Sequence, residues 1–512
     1  MSFEATLHDL SDNASSIKLG QQAALHKRLA DLLRIGGTLP VSPLIIQKLM
    51  SLQASERVTI DAVAHIIGQD PVFSLRLIAL CNNSYYSRGN TISTVEGAIN
   101  HLGLMRIAEV GRDLSDVKQY STCFHGRAVA ACTYQQMVLA GIIGERFYSV
   151  FSADNSKKTN ANLMSSMSKI WCVLLAYLRP NIYAGLALDT LVDRKASLEK
   201  MVRKVTGKAL ADLGVEVMAE IGLPKDFSQL FSMLGVPPWI RRSWKVERTD
   251  HIQAVIAVAY LANRVADEIC SFRGYQPLSS LIRELASKSK VSRDLLKVEL
   301  SGCLEQFCAS INLMGMTPFR LPEYLLEFDE AVVERDGKLS ESTINWPPIS
   351  DRVKPFLYEL KACFKTTPNS NEFNRSAQVI YATLLALIRG LNFDRAIFFR
   401  YEEIEKVLHP AFLMGREIDA VESHARYVSE AAQKFMPDVQ AFFEQRPIFH
   451  GDPIFGDDWP FAAFPVIWDG KVLGVFYADK KARADADSLG VDEQVAIIAL
   501  AEEWHDVSYG FY

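Results

Sequence analysis

Apolar positions recur at helical spacing through most of the first 320 residues. Leu25, Leu29, Leu32 and Leu33 fall at i, i+4, i+7 and i+8, and Gly36-Gly37 ends that run. Ile45, Ile46, Leu49, Met50 and Leu52 give the next apolar face. Thr59 stands at an N-cap position ahead of Val63, Ile66 and Ile67, and Asp70-Pro71 opens a further helix through Phe73, Leu77 and Leu80. Helix and short loop alternate to about residue 113. Further helical runs are predicted around 128–150, 160–178, 209–221, 226–234, 251–270, 277–287 and 293–313. The polar stretch 152–160 reads as a loop, and no β-type alternation interrupts the series.

The texture changes after residue 320. Pro322, Pro347, Pro348, Pro355 and Pro368, with the polar run 366–371, mark a connector that is partly helical at 351–364. A helix at 375–390 then leads to strand candidates at 395–401 and 407–414, a helix at 420–435, and a loop-rich stretch. The apolar runs 463–468 and 471–479 flank Asp469-Gly470, a strong hairpin signal, and a helix at 490–506 closes the chain. The predicted organisation is an N-terminal extension (1–24), an all-α domain (25–320), a connector (321–372) and an α/β (α+β) domain with a central antiparallel sheet (373–512).

Length and composition fit this division. The 512 residues exceed what one core usually supports, so two to three domains are expected, and with 49% of residues hydrophobic a large core can be buried. With 55 basic against 60 acidic residues the net charge is −5, so no general electrostatic attraction to nucleic acid is expected. The eight cysteines stand mostly alone inside apolar runs, without a Cys-x-x-Cys pair, which suggests reduced buried thiols. The N-terminus lacks a basic and apolar leader pattern, and no uncharged run reaches the roughly 18–20 residues of a membrane span, so a cytoplasmic location is expected.

Several motifs resemble a known family. Leu39-Pro40-Val41-Ser42-Pro43, the stretch 66–77 around Gln69-Asp70-Pro71, Cys81-Asn82-Asn83-Ser84-Tyr85-Tyr86 and the stretch 92–103 are similar to the opening of HDOD (HD-related output) domains. Gly214 and Gly222-Leu223-Pro224 look like the later signature, and the resemblance spans roughly 25–310. On their own chemistry, Gln69-Asp70-Pro71 is a helix junction and Asn82-Asn83-Ser84 a polar turn whose side chains bond backbone groups. The alternative is that Asn82, Asn83, Tyr85, Tyr86 and Arg88 form part of a groove that binds a partner protein.

The resemblance also carries a chemical implication. HDOD domains are related to HD phosphohydrolases, in which a His, an adjacent His-Asp pair and a later Asp hold metals that activate water. Carried onto this chain, the first His falls at Gln135, the pair at Ser168-Lys169 and the last Asp at Asn263. Extra histidines of some relatives would fall at Leu210 and Met233-Leu234. A hydroxyl and a cation thus replace imidazole and carboxylate at Ser168-Lys169, and a protonated Lys offers no lone pair. The chain has no His-Glu-x-x-His, Gly-x-Ser-x-Gly or Gly-rich phosphate motif, and Asp250-His251 sits where Asp would serve as an N-cap. No catalytic residue, metal or cofactor is therefore expected.

Residues 373–510 resemble a GAF domain in the order of their elements and in the hairpin ending Gly474-Val475-Phe476-Tyr477-Ala478-Asp479. Such folds bury small ligands, which here would meet Phe412, Met414, Trp459, Phe461 and Phe464, although aromatics there also serve simply as core. No cysteine follows Cys363 to attach a bilin, and an Asn-Lys-x-Phe-Asp-Glu signature of cyclic-nucleotide binding is absent. His450-Gly451-Asp452 with Asp457-Asp458 is an acidic loop that either takes a cation or is solvated. The expected function is a non-catalytic bacterial signal-transduction protein: an HDOD platform for signalling partners joined to a GAF-like module that senses a small molecule or mediates homodimerisation. The alternative is a metal-dependent HD-type phosphohydrolase acting on a nucleotide or cyclic dinucleotide.

Overall fold

The computed structural model describes residues 39–53, 58–83, 91–114, 127–152, 157–192, 197–224, 231–235, 237–240, 251–271, 273–322, 325, 346–365, 375–416, 425–455, 458–468, 470–481 and 488–505. The helical half begins with α1 (Pro43–Gln53), α2 (Ile60–Gly68), α3 (Pro71–Cys81), α4 (Val95–Leu102) and α5 (Leu104–Leu114). It continues with α6 (Ala128–Phe151), α7 (Lys158–Met167), α8 (Ile170–Leu178), α9 (Pro180–Val192), α10 (Leu198–Thr206) and α11 (Leu210–Ile221). Its last helices are α12 (His251–Ser271), α13 (Tyr275–Ser289), α14 (Arg293–Ser301) and α15 (Cys303–Leu313). Then come α16 (Ile349–Lys365), α17 (Arg375–Leu385), β1 (Arg395–Glu402), β2 (Val407–Gly415), β3 (Arg426–Tyr427), α18 (Pro437–Glu444), β4 (Phe461–Trp468), β5 (Lys471–Asp479) and α19 (Val491–His505).

Local chemistry sets these ends. Thr59 caps α2 by accepting from the Ala62 N–H, and Asp70 caps α3 by accepting from Val72 and Phe73, with Pro71 in the first turn. The Asp70 carboxylate, fully buried, also accepts from Ser42 N (2.8 Å) and Tyr134 Oη (2.8 Å). Neighbouring Gln69 accepts from Ser310 Oγ on α15. The Gln69-Asp70 pair therefore ties α1, α3, α6 and α15 together, which accounts for it as architecture.

The predicted helices hold in outline, with five departures. The run 160–178 is two helices bent by 45° at Ser168-Lys169, and 293–313 is two helices parted at Gly302. Of the predicted 226–234 helix, only 231–234 lies among the described residues, and Met233–Gly235 is 3-10. Helices α9 and α10 were not predicted; α9 packs against α8, α17 and β2, so its apolar residues do not confine themselves to one stripe. The predicted helix 420–435 is absent from 425–435, where β3 and a 3-10 turn (Ala432–Lys434) stand instead. The physical reason is a bidentate pair: Arg426 of extended β3 donates to Asp438 at 2.9 and 3.0 Å, and Pro437 starts a new helix there. The expected 25–33 helix lies outside the described residues.

The sheet is antiparallel throughout, in the order β3-β2-β1-β5-β4. The β4–β5 hairpin predicted by the sequence forms, with Trp468 opposite Lys471; Asp469 lies outside the described residues. Pro465 is accommodated because β4 is an edge strand. Alternation divides the sheet: Phe398, Phe412, Phe464 and Phe476 face the helices, while Ile397, Phe399, Phe461 and Tyr477 face α18 and its loops.

The helix-facing side of the sheet belongs to one apolar core with the helical half, running from Val41 and Phe73 through Leu384 to Phe476 and Trp504. Two side-chain contacts reinforce the join. Tyr183 of α9 meets Tyr381 of α17 edge-on, with centroids 6.4 Å apart. Glu359 of α16, inside the predicted connector, accepts from Val129 N (2.8 Å) at the start of α6 and from Gln378 Nε2 (2.7 Å) on α17. No single helix among the described residues is long and apolar enough to cross a membrane.

Candidate functional site

The place where an HD-type centre would stand is built from α6, α7, the bend after it, and α12. Gly141 and Gly144 let α6 approach α7 closely: a methyl group on Gly141 would lie 2.6 Å from Asn162 Oδ1, inside contact distance. The facing α7 serines turn inward and back-bond their own helix, Ser165 to Ala161 O (2.7 Å) and Ser166 to Asn162 O (2.9 Å). Ser168 does the same to Ser165 O (3.0 Å), and such bonds draw carbonyls out of line and bend a helix, here at 168–169.

At that bend Ser168 Oγ hydrogen-bonds Asn263 Oδ1. Asn263 Nδ2 donates in turn to Ser165 O (2.9 Å) and Ala259 O (2.8 Å), so the carboxamide is fully engaged. Lys169 points its ammonium at Asp267, one helical turn beyond Asn263, at 2.6 and 2.8 Å from the two carboxylate oxygens. Gln136 Nε2 donates to the same carboxylate at 2.9 Å. The Lys169 side chain is 10% exposed and that of Asp267 51%, so the pair runs from the interior to the surface. Burial pulls the Lys169 pKa down, but Asp267 more than offsets this, and it stands above the ordinary lysine value. Burial pushes the neighbouring Cys172 thiol up to about 12, against the pull of Lys169.

These side chains do not fit a divalent metal. A hydroxyl and a carboxamide satisfy each other, and the carboxylate within reach already holds an ammonium. Among the described residues no group of three His, Cys, Asp or Glu is placed to hold a metal. The structure brings together Ser168, Lys169 and Asn263 but not Gln135. Gln135 is buried and clasps the end of the helical half, donating to Thr317 O (3.0 Å) and accepting from Phe319 N (2.9 Å). Gln136 and Asp267 were missed in the sequence, although Asp267 stands at i+4 from Asn263 and so shares its helix face. Leu210 and Leu234 are buried apolar residues and Met233 is partly exposed. His251 Nδ1 lies 3.2 Å from Tyr148 Oη, and Asp250 lies outside the described residues.

The turn proposed for partner binding is described at Asn82 and Asn83; Tyr85, Tyr86 and Arg88 lie outside the described residues. Asn82 Nδ2 donates to Ile78 O and Ile92 O, both at 2.7 Å, and its Oδ1 accepts from Ile92 N (2.9 Å). It joins the end of α3 to the lead-in of α4. Asn83 is exposed.

The five residues expected to meet a small ligand do not share one face of the sheet. Phe412, Met414 and Phe464 face the helices, where Phe412, Phe398, Phe476 and Phe464 form a row with centroids 6.3, 4.9 and 5.3 Å apart. Phe461 lies on the opposite side, stacked on Tyr477 at 5.7 Å. Trp459 covers a buried ion pair. Arg395 reaches Asp479 with two bonds (2.6 and 2.9 Å), and its guanidinium lies between the rings of Phe455 (3.7 Å) and Trp459 (4.1 Å). Tyr477 Oη donates to Asp479 Oδ2 (3.1 Å) and accepts from Ile454 N (3.1 Å). Burial raises the Asp479 pKa to about 6 even though Arg395 opposes it. His450, Gly451, Asp452 and Asp458 are exposed, and Asp457 lies outside the described residues.

No curated protein matches the chain. The MmoQ response regulator from Methylococcus capsulatus str. Bath is similar over 48% of this chain and 93% of its own, at 18% identity and a TM-score of 0.35. A virulence factor from Campylobacter jejuni subsp. jejuni is similar over 59% and 99%, at 13% identity and a TM-score of 0.40. The GAF domain of a phosphoenolpyruvate-protein phosphotransferase from Coxiella burnetii is similar over 32% and 96%, at 14% identity and a TM-score of 0.23. The model of the HDOD domain matches residues 39–233, which contain the Gln69-Asp70 junction, the Asn82 turn and the Ser168-Lys169 bend, and this part of the chain is an HDOD domain.

Proposed function

We propose that the chain is a non-catalytic regulator in signal transduction, in which the HDOD domain is a platform for a protein partner and a GAF-like C-terminal domain is coupled to it through α16 and α17. The observation that carries this reading is the Lys169–Asp267 pair beside the Ser168–Asn263 bond. A positive charge and a self-satisfied amide stand where phosphoester hydrolysis would call for metal ligands. The HDOD match supports the signalling role. The route of coupling is supported by Glu359, which touches both halves.

The experiment is elemental analysis of the purified chain after incubation with manganese, iron and zinc, followed by assay on a generic phosphodiester and a cyclic dinucleotide. Substoichiometric metal and no hydrolysis are expected. One or more equivalents of bound metal, with hydrolysis lost in Asp267→Asn, would overturn the proposal in favour of the phosphohydrolase.

A further inference from the structure

Helices α6 and α12 run antiparallel with their facing side chains in register. Gln136 of α6 bonds Asp267 of α12 at 2.9 Å, and Tyr148, further along α6, meets His251 at the start of α12. One turn back along α6 from Gln136 stands Cys132, and one turn on along α12 from Asp267 stands Cys270, so helical spacing sets the two thiols opposite each other. A disulfide needs Cα atoms within about 7 Å, and the small, buried Ala140 and Ala266 on the same two faces favour so close an approach. Both cysteines are free; Cys132 is buried, and Cys270 is half-buried in the last turn of its helix. A third element closes on the pair. The π turn Ala386–Gly390, which continues α17, carries the buried Arg389, whose guanidinium bonds the Cys132 carbonyl (3.4 Å) and the Cys132 thiol and acts electrostatically on Cys270. Burial pushes the Cys132 thiol up to about 12 and also raises that of Cys270, while Arg389 pulls both back towards the thiolate.

We propose that Cys132 and Cys270 are a redox pair, which a peroxide converts to a disulfide that pins α6 to α12 beside Arg389. Cys270, the half-buried member, is the one an oxidant reaches first. Its thiolate attacks one oxygen of the peroxide; the O–O bond breaks, hydroxide leaves, and a sulfenic acid forms. The Cys132 thiolate then attacks that sulfur and displaces the hydroxyl group as hydroxide. With the two thiol protons, two thiols and one hydrogen peroxide become one disulfide and two waters, the sulfurs oxidised and the peroxide reduced. Cys172, also near Lys169, comes from α8, which is not part of this helix pair. The bond would be felt on both sides. Asp267, the partner of Lys169, stands one turn before Cys270, and the π turn that carries Arg389 accepts from Arg320 N through the Arg389 carbonyl (3.0 Å) and leads into β1. The inference adds a redox input to the proposed role and does not depend on it, since a metal at Asp267 would leave both thiols in place.

Peptide mapping of the full chain tests it. The reduced, folded protein is treated with hydrogen peroxide, and separately with diamide, and remaining thiols are alkylated before unfolding. Free thiols should fall by two from the eight of the reduced chain, with the peptides of Cys132 and Cys270 joined, and dithiothreitol should restore them. Cys132→Ser and Cys270→Ser should each abolish the cross-link, whereas Cys172→Ser should form it undiminished. The wild-type map is decisive even where a serine variant folds poorly, which circular dichroism reports. Oxidation should also slow hydrogen exchange in the last turn of α12 in the wild type but not in Cys270→Ser. A Cys270 that stops at sulfinic acid without joining Cys132, a disulfide to Cys172 instead, or full retention of both thiols under diamide and peroxide would each overturn the inference.

Discussion

The sequence carries Ser168, Lys169 and Asn263 at positions where the resemblance implies metal ligands, and in the structure Ser168 bonds Asn263 while Lys169 pairs with Asp267. Their partner Asp267 was not legible, because a carboxylate on a helix surface has many uses and only the fold brings it to the α7–α8 bend. Arg395 and Asp479 show the same limit, being 84 residues apart and paired only through the β1–β5 register. Asp479 gives a prediction in pH. Its folded pKa of about 6 lies above the usual 3.8, so the folded chain holds the proton more tightly than the unfolded one. The stability from this group is complete below about pH 4 and lost as pH rises through about 6. Between pH 4 and 7 the wild type should therefore lose on the order of 2–3 kcal/mol relative to Asp479→Asn, which carries no such titration. Urea midpoints of both proteins across that range measure the difference; wild-type stability rising with pH relative to Asp479→Asn would show that the pair is fully ionised.

At the scale of elements, periodicity fails where a helix is bent or buried on several sides. The 160–178 run reads as continuous because nothing in an apolar pattern reports that Ser165, Ser166 and Ser168 all bond backward. The strands β1, β2, β4 and β5 follow from β-type residues and the β4–β5 hairpin from the Asp-Gly turn, which are local signals, whereas the capping of α6 is not local at all. Arg127 at its N-cap makes no side-chain cap bond, and the acceptor is Glu359, 230 residues away. Glu359→Ala should cost about 3 kcal/mol, since it strands the Val129 N–H and the Gln378 amide in the interior, whereas Glu359→Gln retains one acceptor and should cost about 1 kcal/mol. Urea unfolding of the two variants ranks them, and equal losses would mean that charge rather than acceptor geometry supplies the stabilisation.

For the whole molecule, two textures in the sequence suggested two units, yet the apolar core does not stop between them. Adjacent domains in a chain usually meet through modest polar contacts and move independently. Here α17 lies between α9 and the sheet, Tyr183 meets Tyr381, and Glu359 bonds both sides, so opening one half exposes apolar surface of the other. Cooperativity should follow the core rather than the texture. Native-state hydrogen exchange should give the most protected amides of α6 and of β5 the same opening free energy, that of global unfolding. Glu359→Ala should then lower both by the same amount, because its cost is charged to one shared transition. A drop confined to α6, with β5 protection unchanged, would separate the halves into independent folding units and remove the physical basis for coupling through α16.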